Sequence, residues 1–595
     1  MDPRAALTLS VTTCTSVHCA VPQTIQRSSA VINPRQVITP LLPEAWTTML
    51  FSLGLLPKFC DIPSGLRYGF RLVVSSSLIS TTIHNNHLSA ENNPLAVHKH
   101  INEELTNGRY SGPFSLSTLN TLIGHFCASP LGVVDKPSSP GLFRIIQDFS
   151  YPRDNKSISS VNSEINPDLF NCEWGFFQDV REIMLRLPRT AEAATFDVDA
   201  AYRCMPVHPE DQPHTVVHWQ GNFYLDHCVP FGATSSNGIF GCCGDAMLHI
   251  MKNQGIVPVV KWVDDFCIFR SPTKDSTSST QTFKYTEDDI YALADKLGWP
   301  WKKTKTRPFD YSFIYLGFEW NIQDRSVSIP DAKKTKFLAK CQAWQAASSV
   351  TLQETESLLG SLIHCALAVP AGCSRVVGIA RFTSSFSHAI SDRFIKKKPS
   401  SHAKEDVNWW TIQLQSGWCG SFLKHPPPHS GTELYMDAST SFGIGVVWPQ
   451  KSRFGIWSLT KDSFRAGRDI GWAEMVAIEI ALSIVISYGT RDSTITFHSD
   501  NQGVIGALRA GRSRNDQQNL VLQRIIEAQH SHNIHLAIQY VSTDQNYADG
   551  PSRGIAPPNL CAFDTSIILD DALVRFVKPF SGMAPQTFFT PAHAP

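Results

Sequence analysis

The sequence lacks the cysteine patterns that build a disulfide framework or a structural zinc site. Its 15 cysteines include no C-x-x-C pair and no Cys/His knuckle spacing. The adjacent pair Cys242–Cys243 lies in an apolar stretch typical of a protein core. A reducing intracellular compartment, cytoplasm or nucleus, is therefore the expected location.

Net charge and long apolar runs are also missing. The 52 basic and 52 acidic residues give a formal net charge of +0, so a nucleic-acid partner would need local basic patches. The longest apolar stretch, Met475–Tyr488, is interrupted by Glu479 and is too short to span a membrane. The first residues show no convincing signal peptide. These absences predict a soluble protein of several domains with no membrane partner.

The strongest local signal is the run V-V-K-W-V-D-D-F-C-I at Val259–Ile268. β-Branched and aromatic residues on both sides of Asp264 and Asp265 predict a β-hairpin with two carboxylates at its turn. Burying them is costly unless a cation neutralises them, and Mg²⁺ is the simplest cation with oxygen ligands. The alternative is a solvated Asp-Asp pair. However, the chain's other two such pairs, at 288–289 and 570–571, lack strand-like sequence on both sides.

Further segments surround this hairpin. They are a hairpin at 129–150 with Lys136 and Arg144 at its tip, a strand at 194–207 that carries Asp197, a Pro/Gly turn at 228–240 leading into a helix, and a helix at Glu287–Leu297 followed by a basic strip at 302–307. Residues 331–395 are mostly helical by period, with Thr351 and Glu354 spaced as a capping box. Residues 396–432 mix Lys, Pro and Ser, which is typical of a connector.

A second compact unit begins at Glu433. Strands followed by alternating helices and strands predict a mixed α/β sheet of about 120 residues. The predicted strands are Leu434–Met436, Gly443–Trp448, Phe454–Ser458, Thr494–His498 and His535–Val541, and the predicted helices are Trp472–Ser487, Gln502–Ala510 and Gln517–Ser531.

The order of these pieces resembles a reverse transcriptase palm followed by a ribonuclease H domain. F-D-V-D-A-A-Y is similar to the first metal motif, V-P-F-G-A-T-S-S-N to the template and substrate motif, W-V-D-D to the catalytic hairpin and Y-L-G-F to the primer grip. Y-M-D-A-S, W-A-E-M-V-A-I, H-S-D-N-Q and Y-A-D-G-P-S-R are similar to the ribonuclease H motifs. Over residues 95–555 the chain thus resembles retroelement reverse transcriptase/ribonuclease H polyproteins of the DIRS-like or gypsy type.

The resemblance implies a fold of α+β and α/β domains: a right-hand polymerase with fingers, palm and thumb, then a ribonuclease H-like mixed-sheet domain. The expected parts are a flexible leader (1–40), an N-terminal folded extension of unknown role (41–113), fingers and palm (114–325), a helical thumb (326–395), a connector (396–432), the ribonuclease H-like domain (433–555) and a C-terminal tail (556–595).

The resemblance also implies an RNA- and DNA-directed DNA polymerase with ribonuclease H activity that replicates a retrotransposon. Two Mg²⁺ or Mn²⁺ ions per active site would support phosphoryl transfer. The implied metal-binding and catalytic residues are Asp197, Asp264 and Asp265 in the polymerase and Asp437, Glu474, Asp500 and Asp549 in the nuclease. The implied partners are an RNA template, a DNA primer, an RNA–DNA hybrid and dNTPs, with any integrase or recombinase encoded elsewhere.

The resemblance further assigns a nucleotide pocket. Lys136 and Arg144 would hold the triphosphate, Tyr202 would be a steric gate against a ribose 2′-hydroxyl, Phe231 and Gly232 would line the pocket, and Lys305 would assist the pyrophosphate leaving group.

Alternatives stay open at several positions. Tyr202 is otherwise a core residue, Lys136 and Arg144 ordinary surface cations, Lys303 competes with Lys305, and Glu479 competes with Glu474. Trp262 departs from the Tyr or Phe usual in the family. For the whole protein, the alternatives are a domesticated, non-catalytic nucleic-acid-binding protein that keeps the fold, or an element in which only ribonuclease H works. Seven intact acidic positions argue against the first.

Overall fold

A computed structural model describes residues 36–135, 141–153, 159–273, 282–387, 392, 394–564, 567 and 569–580. The predictions for Lys136 and for most of the leader lie outside these residues. The described chain forms two compact units: an N-terminal unit of residues 36–316 and 320–324, and a C-terminal unit of residues 317–319 and 325–580. Both units combine helices with sheets, so the prediction of a mixed α/β multidomain protein is confirmed at that level.

The N-terminal unit contains eight α-helices and twelve strands among its described residues. The helices are α1 (Pro43–Ser52), α2 (Asp61–Tyr68), α3 (Leu88–Glu91), α4 (Pro94–Thr106), α5 (Leu116–Ile123), α6 (Phe177–Arg186), α7 (Ser236–Asn253) and α8 (Glu287–Leu297). The strands are β1 (Thr82–Ile83), β2 (Tyr110–Phe114), β3 (Cys127–Ala128), β4 (Leu131–Asp135), β5 (Phe143–Gln147), β6 (Glu192–Asp197), β7 (Val217–Trp219), β8 (Asn222–Asp226), β9 (Val259–Trp262), β10 (Asp265–Arg270), β11 (Arg307–Asp310) and β12 (Ser312–Tyr315). Strand β13 (Phe318–Asn321) lies where the two units divide.

A four-stranded antiparallel sheet with the order β11-β6-β10-β9 organises the N-terminal unit. The predicted hairpin is confirmed as β9 and β10. Phe266 of β10 lies opposite Phe196 of β6, and both rings are buried in a core shared with helix α7. This core fixes the two strands beneath the ends that carry the aspartates.

The second predicted hairpin is also confirmed, since β4 pairs antiparallel with β5 and places Val134 opposite Arg144. Residues 36–40, which the prediction included in the leader, contact the N-terminal unit. The Thr39 hydroxyl donates to the Cys204 carbonyl at 2.7 Å, and the Gln212 amide donates to the Gln36 carbonyl at 2.6 Å. Residues 36–40 are therefore bound to the N-terminal unit by side-chain contacts that composition does not reveal.

The C-terminal unit begins with helices and continues into a larger sheet. Its helices are α9 (Asp331–Ala346), α10 (Leu352–Cys365), α11 (Val377–Ser384), α12 (Ser401–Gln415), α13 (Ile470–Ser487), α14 (Gln502–Ala510), α15 (Asp516–His532), α16 (Asp549–Ser552) and α17 (Asp571–Val574). Its strands are β14 (Ser326–Ser328), β15 (Val350–Thr351), β16 (Lys396–Lys397), β17 (Gly420–Phe422), β18 (His429–Ala438), β19 (Gly443–Trp448), β20 (Arg453–Leu459), β21 (Ser493–Ser499), β22 (Ile534–Tyr540), β23 (Cys561–Ala562) and β24 (Val577–Pro579).

The larger sheet has the order β22-β21-β18-β19-β20-β23, and β24 also pairs with β20. Strands β18, β19 and β20 are antiparallel neighbours, whereas β18, β21 and β22 run parallel. Helix α13 belongs to the core cluster on one face of this sheet. The predicted mixed α/β sheet and the order of its elements are confirmed.

Two segments that the composition marks as irregular are ordered in the structure. Residues 401–415, within the predicted connector, form α12, whose buried Trp410 donates to the Arg375 carbonyl at 2.8 Å. Residues 561–562 and 577–579, within the predicted tail, add strands to β20. In both segments a few large apolar side chains are buried against distant elements, and this packing outweighs the local polar composition.

The prediction that the apolar stretch at 475–488 is too short to span a membrane is wrong by length, because helix α13, which contains most of it, is long and apolar enough to cross a membrane by length and composition alone. Of its 18 residues, 78% are buried inside the C-terminal unit. A helix that is apolar on all sides is buried in the core of a folded domain, and α13 has this position in the C-terminal unit.

Candidate active sites

Three carboxylates of the C-terminal unit meet where two parallel strands end. Asp437 lies at the end of β18 and Asp500 follows β21, its parallel neighbour. Glu474 lies in the first turns of α13, whose N-cap Asp469 accepts a hydrogen bond from the Trp472 backbone at 2.8 Å. The carboxyl ends of adjacent parallel strands share one edge of a sheet. The sheet and the helix start therefore bring these three side chains together.

The three carboxylates are close and poorly solvated. One ligand oxygen from each of Asp437, Glu474 and Asp500 lies within 4.8 Å of the others, and Asp437 and Glu474 are only 6% and 4% exposed. Burial, with the Asp437 and Asp500 charges, raises the pKa of Glu474 to about 9. Burial also raises the pKa of Asp437 to about 6. Such a set is stabilised by a cation that neutralises it.

A divalent metal ion fits this donor set. Hard cations such as Mg²⁺ bind carboxylate oxygens, and Oε2 of Glu474 is buried without a hydrogen-bond partner. Within the described part of the chain, these three residues form the group of possible ligands that meets this close spacing.

Asp549, the fourth predicted ligand, is not part of that close group. It lies at the start of α16 and pairs with Arg553 one turn later, with 2.9 Å between Nη2 and Oδ1. Among the described residues, Asp500 has no such ion pair; its Oδ2 accepts a hydrogen bond from the Thr543 hydroxyl at 2.6 Å. The structure thus brings three of the four predicted carboxylates together and pairs the fourth with a cation.

Glu479 has a separate partner. Its two carboxylate oxygens each accept a hydrogen bond from Arg524 of α15 at 2.7 Å. This ion pair lies five residues further along α13 than Glu474 and holds two helices together. Between the two candidates on this helix, the structure places Glu474 in the carboxylate group.

The N-terminal unit holds the second acidic site, on its central sheet. Asp265 of β10 lies directly opposite Asp197 of β6. Asp264 occupies the turn after Val263, which has a φ of 53°, and the Asp264 carbonyl accepts a hydrogen bond from the Val198 backbone at 3.0 Å. The hairpin and the neighbouring strand end therefore bring all three predicted aspartates to one corner of the sheet.

One lysine forms an ion pair with one of these aspartates. Lys305 Nζ lies 2.7 Å from Oδ2 of Asp197. Burial raises the pKa of Asp264, against the opposing charges of Lys305 and Arg144. Burial, with the charges of Asp264 and Asp197, raises the pKa of Asp265 to about 6. Although these residues are described, they do not meet the 4.8 Å ligand spacing found in the C-terminal unit.

The neighbouring lysines have other contacts. Lys302 pairs with Asp199 at 2.6 Å, and Lys303 Nζ lies 4.9 Å from the centre of the Tyr291 ring. Of the two lysines that compete in the sequence, the structure places Lys305 on the aspartates. Asp199, which follows β6, is therefore paired with Lys302 and is not part of the group of Asp197, Asp264 and Asp265.

Aromatic side chains line the region beside these aspartates. The Tyr202 hydroxyl donates to Oδ1 of Asn237 at 3.0 Å, and its ring packs edge-on against Phe231, 4.9 Å between centroids. Burial and the Asp264 charge raise the pKa of Tyr202 to about 12, so the hydroxyl stays protonated. Phe231 is 49% exposed, and Gly232 follows it with a φ of +103°, a conformation that favours glycine.

Strand β9 of the hairpin is held by an ion pair and by aromatic contacts. Lys261 is buried and pairs with Asp245 at 2.7 Å, and its Nζ lies 4.2 Å from the centre of the Trp174 ring. Trp262 contacts Trp174 and Phe176 at 6.0 and 5.6 Å between centroids, yet stays 39% exposed. The bulky Trp262 side chain at the end of β9 is therefore accommodated without being fully buried.

A buried ion network lies behind the Tyr202 segment. Arg203 donates to Glu104 and to Asp226 at 2.8 Å, and Arg109 donates to Glu104 at 2.7 Å. The Asp226 charge helps to raise the pKa of Arg203 against burial, which lowers it. This network anchors the residue next to Tyr202 to β8 and α4.

Several residues that shape the two sites are missing from the predictions. Arg553 is the one with a usable signal, because a cation four residues after Asp549 faces it on a helix. Asn237 and Thr543 come from other segments, and no local pattern points to their partners.

No protein-family model matches this sequence, and no curated protein matches it. Among solved structures, the chain is similar to foamy viral protease-reverse transcriptase in complex with an RNA/DNA hybrid, with a TM-score of 0.46 and 15% identity over 90% of this chain and 67% of that one. It is also similar to the same viral protein in complex with double-stranded DNA, with a TM-score of 0.43 and 15% identity over 86% of this chain and 99% of that one.

Proposed function

We propose that the chain is an RNA- and DNA-directed DNA polymerase with ribonuclease H activity from a DIRS-like or gypsy-type retroelement. The observation that carries the proposal is the close group of Asp437, Glu474 and Asp500. The same chain also carries the group of three aspartates in the other unit. Two groups of carboxylates, one in each unit, suit two-metal phosphoryl transfer.

In this proposal residues 433–555 are the ribonuclease H-like domain, residues 326–395 are the thumb, and β6, β9 and β10 belong to the polymerase palm. Mg²⁺ or Mn²⁺ bound at each site would neutralise charge on the reacting phosphate. Asp437, Glu474 and Asp500 would hold the nuclease metals, and Asp549, which pairs with Arg553 in the structure, would be the fourth ligand. Asp197, Asp264 and Asp265 do the same in the palm.

The remaining roles concern the nucleotide and its strands. Tyr202, held by Asn237, limits the space for a ribose 2′-hydroxyl, and Arg144 and Lys305 face the phosphates. The partners are an RNA template, a DNA primer, an RNA–DNA hybrid and dNTPs, in the cytoplasm or nucleus. The basic runs at 333–336 and 396–398 are candidates for contacts with the duplex backbone.

A second candidate is a chain in which only the ribonuclease H-like site is active. The ion pair between Lys305 and Asp197 favours it, since that cation already neutralises one palm carboxylate. Primer extension on an RNA template and cleavage of an RNA–DNA hybrid, each with Mg²⁺ and with chelator, separate the two. We expect both activities and loss of both in chelator. Hybrid cleavage without extension would support the second candidate, and neither activity would refute both.

A further inference from the structure

Two cysteines face each other across a seam in the N-terminal unit. Cys172 lies in the segment 170–174, and Cys242 lies on helix α7. The Cys172 thiol lies 3.5 Å from the Gly238 carbonyl of the helix, and the Cys242 thiol lies 3.8 Å from the Asn171 carbonyl of the segment. Each sulfur therefore reaches the backbone of the opposite element.

Two glycines of the helix, Gly238 and Gly241, allow this approach. A Cβ added to Gly241 would lie 2.3 Å from Sγ of Cys172. A Cβ added to Gly238 would lie 2.1 Å from Phe170. The segment is thus packed directly on the helix backbone, which places Cys172 next to Gly241, the chain neighbour of Cys242.

The two thiols differ in acidity in the way that a reactive pair requires. The hydrogen bond from Cys242 lowers the pKa of Cys172, and the same contact raises the pKa of Cys242. The thiolate is the nucleophilic form of cysteine. Both side chains are partly exposed, whereas the adjacent Cys243 is buried, so a small oxidant can reach the pair.

We propose that Cys172 and Cys242 form a reversible disulfide when the protein meets hydrogen peroxide. The Cys172 thiolate attacks the peroxide O–O bond, takes one oxygen as a sulfenic acid and releases water after protonation. The Cys242 sulfur then attacks the sulfenic sulfur, forms the S–S bond and expels the second water. Two thiols are oxidised, one peroxide is reduced, and added thiol reverses the reaction.

The crosslink would fasten segment 170–174 to the helix that also carries Asn237, the partner of Tyr202. In a reducing compartment such a bond forms only transiently, as in redox-sensing proteins. The proposal for the thiols is independent of the proposed polymerase function, which matters only for its activity readout.

The test is peptide mapping of the folded full-length chain after treatment with hydrogen peroxide, without reduction. Trypsin releases Cys172 in a peptide of residues 157–181 with no other cysteine, whereas Cys242 lies in a peptide of residues 204–252. We expect these two peptides to become linked, with loss of two titratable thiols, and to separate again in dithiothreitol.

Variants locate the bond within the second peptide, which also contains Cys204, Cys228 and Cys243. The link should persist in Cys243→Ser and vanish in Cys242→Ser and Cys172→Ser, with melting temperatures of the reduced variants showing that they fold. If primer extension is present, peroxide should lower it in the wild type and not in Cys172→Ser. Absence of the linked peptide from folded wild type, or its survival in folded Cys242→Ser, would overturn the proposal.

Discussion

Glu474 offers the sharpest test of the electrostatics of the carboxylate group, through the change Glu474→Gln. The side chain is 4% exposed, and its pKa is about 9 against an ordinary value of 4.5. Between these two values the folded chain keeps a proton that the unfolded chain has released. The stability of the metal-free protein contributed by this group is therefore complete below pH 4.5 and is lost as pH rises towards 9.

The size of the effect follows from the width of the pH window. Each pH unit within it costs about 1.4 kcal/mol of unfolding free energy. Asp437, with a pKa of about 6, is mostly ionised above pH 6.5, so the interval from pH 6.5 to 8.0 isolates Glu474. Over that interval the wild type should lose about 2 kcal/mol that Glu474→Gln, which cannot ionise, retains.

The assay is urea unfolding of the full chain in chelator at both pH values, followed by circular dichroism. Glu479→Gln is the matched control on the same helix. It removes the charge that pairs with Arg524 at 2.7 Å and leaves only the longer pair with Asp570 at 4.0 Å, so it should be less stable than wild type at both pH values. A stability difference between Glu474→Gln and wild type that does not grow with pH would refute the reasoning.

Two further predictions concern the N-terminal unit. Tyr202→Ala should raise incorporation of ribonucleotides relative to deoxyribonucleotides in primer extension. Tyr202→Phe keeps the ring and loses only the hydrogen bond to Asn237, so it should change this ratio little. An unchanged ratio in Tyr202→Ala would mean that Tyr202 is a core residue and not a steric gate. Arg203→Gln should lower the unfolding free energy by roughly 3–5 kcal/mol, because it leaves the buried Asp226 carboxylate without its cation, whereas Glu104 keeps its pair with Arg109; a loss below about 1 kcal/mol in urea unfolding would contradict the network's role.

Local pattern predicted the elements that carry the acidic residues. The hairpin at Val259–Ile268 and helix α8 follow from apolar alternation and from helix period and capping, both of which depend on neighbouring residues. The strand before Asp437 was likewise predicted, although the structure extends it to His429–Ala438. Because the strands are correct, the convergence of Asp437 with Asp500 follows from their parallel pairing.

Long-range partners were beyond the sequence. Glu479 and Glu474 look alike on one helix, and only the arrival of Arg524 from α15 separates them. Lys305 and Lys303 are likewise distinguished only by which lysine reaches Asp197. Helix α12 formed inside a Lys/Pro/Ser-rich stretch because Trp410 finds a buried site. These outcomes depend on tertiary packing, which local composition does not encode.

If the proposed function is correct, one chain carries two independent acidic centres. Asp264→Asn and Asp500→Asn, each in the folded full-length protein, are measured side by side for primer extension on an RNA template and for cleavage of an RNA–DNA hybrid. We predict that Asp264→Asn abolishes extension and leaves cleavage nearly intact, and that Asp500→Asn does the reverse. Loss of both activities from either single change, in protein that melts like the wild type, would contradict two independent centres.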